Sequence, residues 1–221
     1  LVVMGKYIPQ LEFLSVVLSD QPVLEPHERF YQRLLAEDVI GTENLLDEAK
    51  TTHTLIEACA LLVLPALRLI EQDHDRGAID PEKRQSMVVH LDSLIEELLE
   101  PGQPKDGASI ALLLNAGGVP LKVLCLPAAD AADELAARVV AAMLERKGIA
   151  VSLASVTTLK GEMLDLVDEV QPDLICISAV PPAAVIHARY LCKKLRSRFA
   201  QIPIVVGLWN AQGDLQQARE R

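Results

Sequence analysis

Two aspartates, Asp130 and Asp133, follow an apolar run from Leu121 to Leu126 that stops at Pro127-Ala128-Ala129. A carboxylate pair at a strand tip has the residue types for general acid and base work. At the first turn of a helix the same residues cap backbone N–H groups and complement the helix dipole, which is the preferred reading here. Ser178, just before Pro181-Pro182, has a hydroxyl that could hold an anion but reads more simply as a turn residue. Thr157-Thr158 reads as the lead-in to a helix. Histidines 27, 53, 74, 90 and 187 show no H-E-x-x-H or other ligand spacing. Cys59, Cys125, Cys176 and Cys192 form no C-x-x-C, and two of them lie in apolar runs where cysteine behaves as a small hydrophobe. The expectation is therefore a non-enzymatic, reduced protein with no catalytic residue and no metal site.

The elements that position these residues fall into two groups. Pro26 suits a first helical turn, and Phe30, Leu34 and Leu35 form an apolar stripe after it. A break over Asp38-Val39-Ile40-Gly41 precedes a second stripe of Leu45, Leu46 and Ala49. Leu55 to Gln72 is apolar nearly all round and reads as the buried centre of a bundle, with Pro65 predicting a kink. After Gly77, the start at Asp80-Pro81-Glu82 opens a last amphipathic helix that stops by Pro101. Residues 26–100 are thus expected to form a four-helix, cap-like bundle. Residues 101–119, rich in Pro and Gly, form a linker whose middle, Ser109 to Leu114, reads equally as a strand or an extended segment.

From residue 120 the pattern alternates. Strands are expected at 121–126, 149–153, 173–180 and 202–208, and helices at 130–147, 162–170 and 183–199. Such alternation predicts an α/β fold, a Rossmann-like (flavodoxin-like) parallel sheet flanked by helices over 120–221, with ligands bound beyond the carboxyl ends of the strands. No G-x-G-x-x-G follows the first strand and there is no Walker A. Four strands leave an apolar sheet edge, so self-association into a homo-oligomer is expected.

The formal net charge of −10 excludes a nucleic-acid surface. The one basic cluster, Lys193 to Arg198, falls in the last turns of a helix, where cations suit the dipole. Leu1 to Tyr7 reads as the last apolar turn of a longer helix with a Lys/Tyr pair suited to a membrane interface. Residues 1–25 are accordingly expected to be a juxtamembrane arm, with a packed N-terminal arm as the equal alternative.

The order of helical cap and α/β domain resembles the cobalamin-binding module of methionine synthases and cobalamin-sensing regulators. That family places Asp-x-His-x-x-Gly after its first strand, the His reaching cobalt. Here the resemblance puts Asp133 at the His and Ala136 at the Gly. The family's Ser-x-Leu survives partly as Ser178-Ala179-Val180, its Gly-Gly as Gly207-Leu208, its capping Trp corresponds to His74, and its Glu-His pair to Glu82-Lys83. The candidate cofactor pocket implied is Asp130, Asp133, Ser178, Gly207 and His74, with its ligand-holding residues altered. No cofactor is expected to be held, cobalamin being the alternative.

A resemblance over nearly the whole chain is to the cytoplasmic C-terminal region of bacterial permeases of the autoinducer-2 exporter family. It rests on Gly5 to Leu14, Phe30 to Leu35, Ala188 to Lys193 and Val206 to Trp209. It implies transmembrane helices before Leu1, and a regulatory or assembly domain at the cytoplasmic face of the bacterial inner membrane. Its partners would be its own transmembrane domain and the lipid interface, with a small-molecule ligand possible. The alternative function is a cobalamin-type ligand-binding sensor domain of a regulator, and a third is a corrinoid methyltransferase or mutase subunit.

Overall fold

The computed structural model describes residues 24–98, 119–159 and 162–209. Most of the expected arm, most of the linker and the segment after Trp209 lie outside the described residues. No helix among the described residues is long and apolar enough to cross a membrane.

The first lobe is built from α1 (Pro26–Leu35), α2 (Val39–Lys50), α3 (Leu55–Asp75) and α4 (Pro81–Leu98). Sequence sets each start. Pro26 occupies the first turn of α1 behind a Glu25/Glu28 capping box, and Thr54 and Glu57 close the same reciprocal pair of bonds on α3. The break expected over residues 38–41 is shorter than its composition suggests. Asp38 is the N-cap of α2 and accepts the Gly41 N–H at 2.9 Å, so Val39-Ile40-Gly41 is already helical. Helix α3 runs through Pro65 to Asp75, and Gly77, at φ +71°, turns the chain out of it. As its all-round apolar character predicts, α3 is central: Ala58, Val63, Ala66, Leu67 and Ile70 are fully buried against Phe30 and Leu34 of α1 and Leu91 and Ile95 of α4.

The second lobe has β1 (Lys122–Pro127), α5 (Ala131–Arg146), β2 (Ala150–Leu153), α6 (Val156–Leu159), α7 (Met163–Val170), β3 (Leu174–Ala179), α8 (Ala184–Arg198) and β4 (Ile204–Leu208). All three strand pairings are parallel, in the order β2-β1-β3-β4, the open α/β arrangement expected. Thr157, expected to lead into a helix, lies within the short helix α6. Ser178 is no turn residue: β3 extends to Ala179, which places it inside the sheet and fully buried. On the outer edge, Val205 and Val206 of β4 are 52% and 37% exposed.

Helix α5 joins the lobes. Its Val140 and Ala141 pack on Val123, Cys125 and Cys176 of the sheet, while Leu135, Ala136 and Val139 belong to the same core cluster as Leu67 and Leu91 of the bundle. A helix buried on two sides must let both neighbours approach closely, which is why its sequence is rich in alanine.

Candidate functional site

The strand tips β1 and β3 and the starts of α5 and α8 enclose a cleft of about 250 Å³ against the C-terminal part of α3, lined by Glu71, His74, Asp130, Asp133, Val180 and His187 among others. Three sequence candidates, His74, Asp130 and Asp133, therefore meet here. Ser178 and Gly207 do not line it; they lie within β3 and β4, in a register row described below.

Asp130 is the N-cap of α5, its Oδ1 accepting the N–H groups of Ala132 and Asp133 at 3.0 and 3.2 Å, as preferred from the sequence. Its other oxygen takes an unforeseen partner, Arg84 of α4, at 2.6 Å. Arg84 also holds Glu71 of α3 through Nε at 2.9 and 3.1 Å. The Arg84 and Glu71 side chains are 16% and 11% exposed, so one largely buried guanidinium ties two bundle helices to the α/β lobe. Burial pushes the Glu71 carboxyl up, against the pull of Arg84. A second cross-lobe pair joins Arg138 of α5 to Asp92 of α4.

Asp133 does more than the capping expected of it. It is 3% exposed, and its two oxygens accept the N–H groups of Ala129 at 2.8 Å and Val180 at 2.7 Å. The carboxylate thereby pins the loop after β1 to the loop after β3. Burial pushes its carboxyl up to about 7, opposed by these N–H donors and aided by the charge of Asp130. His74 Nδ1 lies 3.4 Å from the Ile79 carbonyl oxygen.

In the neighbouring slot, Pro127, Ser178 and Gly207 stand side by side in register, one from each of β1, β3 and β4. The indole of Trp209 folds back over Gly207. A Cβ there would meet the ring atoms Cζ2, Cε2 and Cη2 at 2.9 Å or less. Ser178 Oγ and Trp209 Nε1 are both buried with no hydrogen-bond partner among the described residues. Among the described residues, no group of three or more His, Cys, Asp or Glu is placed to hold a metal ion.

Residues 121–207 match the family model of the B12 binding domain. Over those residues the α/β lobe is similar to a B12 binding domain. No curated protein sequence matches the chain. Among solved structures, a novel cobalamin-binding protein from Desulfitobacterium hafniense DCB-2 is similar, at 14% identity and a TM-score of 0.37, over 89% of this chain and 90% of that one. The methanol:cobalamin methyltransferase complex MtaBC from Methanosarcina barkeri is similar at 15% identity and a TM-score of 0.37, over 98% of this chain and 83% of that one.

Whether the residues of this module suit a corrinoid can be tested on its geometry. The carboxylate of Asp133 is a hard oxygen donor whose two oxygens are both engaged by backbone N–H groups. The cleft, at about 250 Å³, lies below the 300–1,000 Å³ typical of sites for drug-sized ligands, and a corrinoid exceeds such ligands. The slot over Ser178 and Gly207 is covered by the chain's own indole. As placed, these residues do not fit a corrinoid. Sequence reasoning missed Glu71, Arg84 and His187. The last carried a signal, since the α8 start was expected at a strand tip; the first two carried none.

Proposed function

We propose that the chain is a non-catalytic regulatory or assembly module that uses a cobalamin-binding-like fold without holding cobalamin. The observation that carries this reading is the placement of Asp133, whose carboxylate bridges two backbone loops at the position where a metal-reaching side chain is expected. A group so engaged serves architecture. The resemblance to the cytoplasmic tail of autoinducer-2 exporter permeases supports a finer reading. In it the module works at the cytoplasmic face of a bacterial inner membrane, attached to its own transmembrane domain and the lipid interface. The exposed valines of β4 support a homo-oligomer.

The second reading is a cobalamin-type sensor domain, favoured by the match of residues 121–207 to the B12 binding domain. Equilibration with hydroxocobalamin, desalting and a visible spectrum separate the two. The expected result is no retained corrinoid absorbance. Stoichiometric retention would overturn the first reading and establish the second.

A further inference from the structure

We infer that the helical bundle carries a ligand site of its own, away from the strand tips, and that its ligand is a small molecule with a single carboxylate head on an apolar body. The inference goes beyond the regulatory reading above and holds whether or not the α/β lobe takes a corrinoid.

A cavity of about 450 Å³ opens between the first turn of α1, the last turns of α2 and the N-terminal part of α3. That volume falls in the range of roughly 300–1,000 Å³ usual for small-molecule sites. Along α3, Leu62 of this cavity and His74 of the cleft stand about 18 Å apart, at the helical rise per residue. The apolar wall is formed by Leu45 and Ala49 of α2 and by Leu61 and Leu62 of α3, and the small side chain of Ala49 leaves space there. Leu62 belongs to the bundle core, whereas Leu61 is 49% exposed and offers apolar surface for a ligand body to cover.

The head group is argued from Arg29. This residue lines the cavity, and its Nε is buried with no hydrogen-bond partner among the described residues. A donor on a charged group is rarely left in that state, because it forfeits the bonds it had in water. The neighbours on α1 show why no side chain answers it. Glu25, one turn earlier, is engaged with Glu28 in the capping box, and the next cation, Arg33, takes Asp38 at 2.7 Å. A guanidinium presents its N–H groups in a fork that matches a carboxylate. Glu25 and Glu48 also line the cavity, so a doubly charged phosphate would meet two carboxylates against one guanidinium. A singly charged head meets less repulsion.

The experiment uses the full chain with octanoate as the probe and octanamide as its uncharged counterpart. Histidine reports the place of binding, since His27 and His53 line this cavity while His74 and His187 line the cleft. Octanoate is expected to move the ring resonances of His27 and His53, to leave those of His74 and His187 in place, and to saturate near about 1 mM. Octanamide is expected to bind about tenfold more weakly. Arg29→Met should remove that difference, and Ala49→Leu, which fills the cavity, should weaken octanoate at least tenfold.

Unmoved His27 and His53 resonances at ten times the expected saturating concentration overturn the proposal. So does movement of His74 and His187 in their place, or equal affinity for octanoate and octanamide. These readings need no substitution, so they decide the matter even where a variant fails to fold. Corrinoid retention would count against the function above and leaves this site untouched.

Discussion

Asp133→Ala is expected to destabilise the chain by about 3 kcal/mol, because it leaves the buried N–H groups of Ala129 and Val180 without an acceptor, at roughly 1–3 kcal/mol each. Asp133→Asn, with a single acceptor oxygen, is expected to recover only part. The pH dependence follows from the sign of the shift. Burial pushes the folded carboxyl to about 7 from 3.8, so the folded chain keeps a proton that the unfolded chain has released. The group's contribution is full below about pH 4 and declines as pH rises to about 7, by at most ~1.4 kcal/mol per pH unit. The Asp133→Ala curve lacks that decline, so the gap between the two proteins is wider at pH 5 than at pH 8. Urea unfolding at both values checks this, and a loss below 1 kcal/mol at pH 5 would refute the bridging role.

Arg84→Leu is expected to cost about 3–5 kcal/mol, the usual consequence of leaving one member of a buried ion pair alone. Glu71 would be the stranded group, at 11% side-chain exposure beside the carboxylate of Asp130. Its carboxyl, already raised by burial, would rise further once the guanidinium is gone. A raised carboxyl stabilises at low pH and loses that contribution as pH rises through the folded value, so acid should restore part of the loss. Combining Arg84→Leu with Glu71→Leu should recover most of it, since two apolar side chains leave no charge uncompensated. Additive losses in the double variant would show that the pair does not act as a unit.

The strand and helix alternation was legible because β1 and β3 are almost wholly apolar runs and α5 is nearly all alanine and aliphatic on its buried sides. The misreadings were local. Gly41 and Asp38 looked like a break because their types favour turns, whereas one caps the other in a helix. Ser178 looked like a turn residue because two prolines follow closely, yet β3 continues past it. At the cleft, the capping role of Asp130 was readable because its partners are the next residues along the chain. Its bond to Arg84 spans 46 residues, and the bond of Asp133 to Val180 spans 47 and ends on a backbone N–H. No side-chain type marks such an acceptor in advance. The likeness to a cobalamin-binding module was legible in the order of elements and is supported over residues 121–207, while its extension to a permease tail rests on segments that include residues 5–14, outside the described residues.

The double burial of α5 bears on how the chain comes apart. A helix whose opposite sides belong to two lobes loses packing when either is removed, so bundle and sheet are expected to unfold as one cooperative unit. Heating should give a single transition, and an isolated α/β fragment would present Leu135, Ala136 and Val139 to water and aggregate. The same sharing predicts a stiff coupling: a push on the bundle is expected to displace the sheet with it, where a module hinged between its lobes would absorb the stroke.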